Sequence, residues 1–362
     1  MNIQNVESSP EPAEEAKPLS RAARAEIMGR VLGMYFGGKL DKELSSEIER
    51  LIDACEMSNT AKVGVGRLAE GRILAVIGRP GAGKSRSLER QFYTREEFAG
   101  FRSEDSNCRL ISVKAPSPCT LKQLGNSILV ATGYEIERDL KENMVWMLVH
   151  KRLQKCGIQY LHIDEAQHAT ETANKLELKK VRDTVKALLQ NPDWPVWLII
   201  SGKPSLASFI EHDIQLKRRA RTVRIEDITF AKHAQRVRGM MKALVTNATE
   251  LTIDPADEDR ILPRLIHAAQ GQFGIAVEYV QDSINEALIA GDIMMGTKHF
   301  ASSYSSRSGC SSDANVFTAA NWHEINVARA LEDAQNEIEV EENYEGAESA
   351  AAKKIRIQRS QS

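Results

Sequence analysis

Nothing in this 362-residue sequence reaches the roughly 18–20 consecutive apolar residues that a bilayer-spanning helix needs, so no membrane segment is expected. Paired cysteines are also missing. Cys55, Cys108, Cys119, Cys156 and Cys310 stand singly, none in C-x-x-C spacing, and their number is odd. That argues against a disulfide framework or a four-cysteine zinc site and fits a reducing cytosol. The first residues, MNIQNVESSPEPAEEAKPLS, hold no apolar core and read as neither a signal nor a transit peptide. Net charge is nearly absent: 48 Lys and Arg against 50 Asp and Glu leave −2. A uniformly basic polymer binder is thereby excluded, but a local basic face is not. No internal repeat is visible. What the chain does have is a 42% hydrophobic fraction, ample for a core, and a length that predicts two or three domains.

Residues 1–20 read as a disordered tail. Apolar residues at helical spacing follow, with Ile27, Val31, Leu32, Tyr35 and Phe36 before Gly37-Gly38, and Leu44, Ile48, Leu51 and Ile52 after it. Residues 21–60 are expected to be a helical segment leading into the main domain. Between 61 and 230, short apolar runs alternate with amphipathic stretches: Ile73–Ile77, Leu110–Val113, Tyr160–Ile163, Val196–Ile200 and a weaker Val223–Ile225 as strands, with helices between them. Such alternation predicts a parallel sheet covered on both faces. From about residue 231 to 300 the pattern is helical, predicting a small all-helical domain. Residues 301–362 read as a Ser-rich linker over 302–314, a further helix over Val316–Leu331, and a charged tail. Residues 332–348 of that tail carry eight acids and no base.

Gly78-Arg79-Pro80-Gly81-Ala82-Gly83-Lys84-Ser85 satisfies G-x-x-x-x-G-K-[ST] directly after a buried strand. The glycines let backbone amides curl around phosphate oxygens, Lys84 supplies charge to the outer phosphates, and the Ser85 hydroxyl suits Mg²⁺. The following helix, with Arg86 in its first turn, points its positive end at the anion. Residues 78–86 are therefore the candidate nucleotide site. About 80 residues on, Tyr160-Leu161-His162-Ile163-Asp164-Glu165 delivers two acids to a strand end. Asp164 is suited to Mg²⁺ and Glu165 to orienting and deprotonating water. His168 reads as surface or a nucleic-acid-facing turn. The strand Val196–Ile200 leads into Ser201, a candidate contact to the γ-phosphate or attacking water. Lys217, Arg218, Arg219, Arg221, Arg224, Lys232, Arg236 and Arg238 then crowd against only Glu226 and Asp227. Three readings stay open for this cluster: a solvated helix end, an arginine finger acting on a neighbouring subunit, with Arg219 and Arg218 as candidates, and contacts to DNA phosphates.

GRPGAGKS, YLHIDEAQH and VWLIISGKPSL together resemble the AAA+ class of P-loop ATPases. The flanking VKAPSPCTLKQLG, VRDTVKALLQNPDWPVWLI and AAQGQFGIAVEYVQDSINEAL are similar to TniB-type transposition ATPases, relatives of the phage Mu target-selection ATPase. The resemblance spans roughly residues 25–300. It implies an α/β AAA+ fold followed by a helical lid, ATP and Mg²⁺ as cofactors, and assembly on DNA as rings or helical filaments. It also implies recruitment or activation of a DDE transposase in the bacterial cytoplasm. By position it implies Lys84 and Ser85 for nucleotide and metal, Asp164 and Glu165 for metal and water, and Ser201 as sensor 1. A lid arginine, sensor 2 in many relatives, has no counterpart in Gly271–Tyr279. Two rival functions remain at this stage. One is an AAA+ ATPase of another pathway, such as helicase loading or secretion. The other is a nucleotide-dependent adaptor that does not bind DNA. A metabolic kinase would leave the Arg-rich segment and the helical lid unexplained.

Overall fold

The computed structural model describes residues 19–60, 70–103, 106–171 and 175–327. The acidic segment 332–348 and nearly all of the N-terminal tail lie outside them. In chain order the elements are α1 (Arg21–Gly33), α2 (Lys39–Thr60), β1 (Ile73–Ile77), α3 (Lys84–Thr94), β2 (Leu110–Lys114), α4 (Leu121–Ala131), α5 (Glu142–Lys155), β3 (Tyr160–Asp164), α6 (His168–Glu171), α7 (Lys175–Leu189), β4 (Trp197–Gly202), α8 (Ser205–Glu211), α9 (Ile214–Arg219), β5 (Ala220–Arg224), α10 (Phe230–Ala248), β6 (Thr252–Ile253), α11 (Pro255–Ala268), α12 (Phe273–Ala290), β7 (Met294–Met295) and α13 (Thr297–Ser308). They form two compact units, 36–227 and 1–35 with 228–362. No helix among the described residues is long and apolar enough to cross a membrane.

The first unit is a five-stranded parallel sheet in the order β2-β3-β4-β1-β5. Parallel strands buried on both faces carry continuous apolar runs, and alternate residues serve opposite layers. Ile73, Ala75 and Ile77 pack with Leu161, Ile163, Leu198 and Ile200 under α4, α5, α7 and α8. Leu74 and Val76 face the other way with Tyr160, Trp197 and Ile199, under α2 and α3. On this second face Phe92 of α3 meets Phe98, Phe101 and His162 edge-on, at centroid distances of 5.8, 5.3 and 5.2 Å. α2 is tied to α3 by Arg95, which pairs with Glu49 at 2.6 Å and donates to the Ser45 carbonyl at 2.8 Å.

The second unit is helical. α10, α11, α12 and α13 bury Val237, Met241, Leu244, Leu265, Val280, Ile284 and Phe300 among them. Asp254 caps α11, accepting from the Ala256 amide at 2.9 Å, with Pro255 in the first turn, where its missing N–H costs nothing. The span 21–60 does not act as one segment. α1 belongs to this unit, where its Val31 carbonyl accepts from Gln281 Nε2 at 3.2 Å, whereas α2 covers the sheet. The Ser-rich span 302–314 is not a linker. Through Ser308 it is the body of α13, anchored by buried Phe300, Ser303 and Tyr304. Ser302 and Ser308 spend their hydroxyls on Glu286 and on the Tyr304 carbonyl. Nor does the expected helix from Val316 form within the described residues, which end at 327. Arg264 donates to the Val316 and Ala319 carbonyls at 2.6 and 2.9 Å and holds the segment as a turn. Phe317 there packs on Phe300 and Tyr304.

One close approach sets the start of β1. A Cβ on Gly71 would fall 1.9 Å from the Val196 carbonyl oxygen, a backbone atom that cannot swing away. Gly71→Ala is therefore expected to destabilise the sheet unit by about 3 kcal/mol, lowering its thermal midpoint by about 10 °C. A calorimetric midpoint within about 2 °C of wild type would show that the strand start is not so constrained.

Candidate functional site

The loop after β1 is built for close backbone approach. Gly81 and Gly83 take φ of 75° and 95°, values that a side chain disfavours. A Cβ on Gly83 would meet nothing within 4 Å, so the loop opens onto free space at the start of α3. Lys84 is buried and donates from Nζ to the Gly78 and Arg79 carbonyls at 2.9 and 3.1 Å. Burial lowers its pKa against the pull of Glu165 and Asp164. Pro80 and Arg86 are exposed and Ala82 is buried. Arg79 pairs with Asp227 at 3.1 Å across a half-exposed surface.

Asp164 ends β3 at the same sheet edge. Its Oδ2 accepts from Ser85 Oγ at 2.8 Å, and its Oδ1 from Ser201 Oγ at 2.5 Å and from the Glu165 amide at 3.0 Å. Burial alone would raise the Asp164 pKa. The hydrogen bonds from Ser201 and Ser85 and the neighbouring His162 outweigh it and hold the carboxyl below its ordinary value. Glu165 sits at φ 52°, a left-handed conformation that costs a non-glycine residue on the order of 1 kcal/mol. That turn lifts its carboxylate out of the strand direction. Gln167, fully buried, donates from Nε2 to Glu165 Oε2 at 2.5 Å and accepts from the Lys203 amide at 3.1 Å.

The loop, Ser85, Asp164 and Glu165 thus converge. Ser201 lies at the end of β4 beside Asp164. It is fully buried and donates to Asp164. His168 lies outside the cluster, in the first turn of α6. Arg218 and Arg219 precede Ala220, which pairs with Ile73 at the start of β1, whereas the loop follows Ile77 at its end. A five-residue strand separates them by about 16 Å. They line a cavity of about 470 Å³ at the far sheet edge with Arg50, Arg72 and Arg221. Arg219 is mostly buried, bonded to Glu70 at 2.7 Å and to the Gln215 carbonyl at 2.9 Å. Arg218 is exposed and forms no ion pair among the described residues.

The basic run is also less bare than its sequence. Arg221 pairs with Glu47, Arg224 with Glu211, and Arg238 with Glu258 and Asp259. Arg236 lies over the Phe273 ring at 4.1 Å. Lys217, Arg218 and Lys232 are the exposed cations of the run without an ion pair among the described residues.

Sequence reasoning missed three residues: Gln167, His162 and Ser112. His162 bridges Ser112 and Ser201 at 2.8 and 3.0 Å, and burial pushes its pKa well below the ordinary value. The available signal was a polar residue at an inward-facing position of an otherwise apolar strand.

Residues 61–229, a little under half of the chain, match the family model of the bacterial TniB protein. No curated protein matches the chain. Similar solved structures include Cdc6p from Pyrobaculum aerophilum, 14% identical with a TM-score of 0.53 over 76% of this chain and 69% of that one. The ORC1 protein of Aeropyrum pernix, solved in complex with DNA, is 16% identical with a TM-score of 0.53 over 80% and 74%. Drosophila ORC bound to DNA is 11% identical with a TM-score of 0.50 over 85% and 72%. At such identities the likeness shows the fold, a parallel sheet between helices with a helical region after it. Motifs, sheet order and family match agree: residues 61–229 match the TniB family within a fold like that of Cdc6p and ORC1.

Proposed function

We propose that the chain is an ATP- and Mg²⁺-dependent ATPase of the bacterial cytoplasm that assembles on DNA and recruits or activates a transposase. The observation that carries the enzymatic part is the Ser85–Asp164 hydrogen bond at the mouth of the glycine loop, with Glu165 beside it. A hydroxyl and one carboxylate suit Mg²⁺, which takes few protein ligands and leaves the rest to phosphates and water. When bound, Mg²⁺ would neutralise charge on the outer phosphates.

The chain's own residues supply the remainder. Loop amides and the N-terminus of α3 receive phosphate oxygens. Lys84 exchanges its two loop carbonyls for those oxygens, which offsets its burial. Glu165 accepts a proton from water as the water oxygen bonds to the terminal phosphorus, and the bond from that phosphorus to the ADP oxygen breaks. Gln167 holds Glu165 from the buried side and sets the carboxylate's direction.

Assembly and DNA binding rest on the TniB match, on the arginine-lined far edge and on two neighbours of like fold solved with DNA. In a head-to-tail assembly the far edge of one subunit would face the loop of the next, which places an arginine there in trans. DNA would be held through phosphates, largely without reading sequence.

Glu165→Gln is expected to keep ATP affinity and lose hydrolysis by a factor of about 100 or more. It should accumulate as a DNA-bound oligomer in ATP, read by sedimentation. Assembly no greater than wild type would refute hydrolysis-driven release. Arg218→Ala should lower turnover only in the assembled state and leave the melting temperature unchanged. Arg219→Ala should also lower the melting temperature, because it leaves the partly buried Glu70 without its partner. Equal turnover in both variants and wild type, at protein concentrations that assemble, would remove both arginines from the trans role.

A further inference from the structure

The α3-side face of the sheet carries a polar row where packing would favour hydrocarbon. Ser112 on β2 is in register with His162 on β3, and Ser201 lies on the adjoining strand β4. His162 is 2% exposed and Ser201 0%. Three hydrogen bonds connect them to the site: Ser112 Oγ to His162 Nδ1 at 2.8 Å, His162 Nε2 to Ser201 Oγ at 3.0 Å, and Ser201 Oγ to Asp164 Oδ1 at 2.5 Å.

The directions follow from proton counting. An ionised carboxylate only accepts, so Ser201 gives its single proton to Asp164. Ser201 must then accept from His162, which puts the ring proton on Nε2. In the neutral ring the Nδ1 is then an acceptor and takes the proton of Ser112. Each hydroxyl points one way only, toward Asp164. Bonds aligned in this manner polarise one another. Phe92 closes the ring's edge at 5.2 Å, so imidazole rotation is blocked by packing as well.

We propose that His162 is a positioning residue for the metal-binding carboxylate: as the Nε2–H tautomer it orients Ser201, which fixes Asp164 Oδ1 and leaves Oδ2 turned toward Ser85. This rests on the assignment of Asp164 to Mg²⁺ above. In metal sites, groups that orient a ligand set affinity nearly as much as the ligand does, typically 10–100-fold on removal. Without the histidine proton, the Ser201 hydroxyl is free to turn and the Asp164 carboxylate to rotate.

The test uses the full chain with selectively ¹⁵N-labelled histidine. Proton–nitrogen correlation at pH 7 is expected to show a proton on His162 Nε2, and a ring protonated on Nδ1 alone would overturn the proposal. Mn²⁺ binding to the ATP-loaded protein supplies the second readout. His162→Phe keeps the aromatic packing but loses both hydrogen bonds. It should weaken Mn²⁺ binding about 10-fold or more while metal-free nucleotide affinity stays within about twofold. His162→Gln, which can donate to Ser201, should recover most of the loss. Wild-type Mn²⁺ affinity in a folded His162→Phe would overturn the proposal, as would no recovery in His162→Gln. Should His162→Phe fail to fold, Ser201→Ala takes its place with the same expected loss. Wild-type protein that binds neither ATP nor Mn²⁺ would instead refute the nucleotide reading, and the nitrogen spectrum would still decide the tautomer.

Discussion

The hydrogen bond from Ser85 to Asp164 spans two strands that are not neighbours. β4 lies between β1 and β3, so the phosphate loop and the acidic strand end meet only across the end of β4. That end is built for the crossing. The Gly202 carbonyl accepts from the Gly78 amide at 3.1 Å, and the Ser201 carbonyl from the Ala166 amide at 2.9 Å, so one strand terminus holds both loops. Gly202 has no side chain, and a Cβ there would lie 2.4 Å from Gln167 Oε1. The third strand thus supports the site from beneath, and its serine braces Asp164.

The motif residues were legible because each chemistry demands a fixed type at a fixed spacing. Gly81, Gly83, Lys84 and Ser85 follow one strand, and Asp164 and Glu165 end another. The parallel sheet was legible because strands buried on both faces read as unbroken apolar runs. The support of the site was not. His162 and Ser112 are isolated polar residues that lie 50 residues apart in sequence, and only the strand register brings them together. Gln167 reaches Glu165 two residues back, but its second partner, the Lys203 amide, lies 36 residues on, beyond β4. Composition misled in α13, where serines suggested a linker while Phe300 and Tyr304, one helical turn apart, carried the packing.

Charge is another place where the fold alters the sequence's meaning. Eight bases crowd between 217 and 238, yet Arg219, Arg221, Arg224 and Arg238 are matched to acids contributed by other elements. The exposed one among them, Arg224–Glu211, contributes little to stability and more to the local field. The cluster is therefore a partly neutralised surface with Lys217, Arg218 and Lys232 as its exposed cations free of ion pairs among the described residues. If the chain binds DNA as proposed, the contribution of this cluster would depend on salt and on how many subunits stand side by side, because a few phosphates per subunit are additive along an assembly.

The central claim is that nucleotide in the Gly78–Ser85 loop drives assembly on DNA. Electron microscopy of the full chain with duplex DNA and a slowly hydrolysed ATP analogue tests it most directly, with Lys84→Ala beside wild type. The account predicts DNA-bound rings or filaments for wild type with the analogue, and none without nucleotide or with Lys84→Ala. Equal assembly in all three conditions would contradict it.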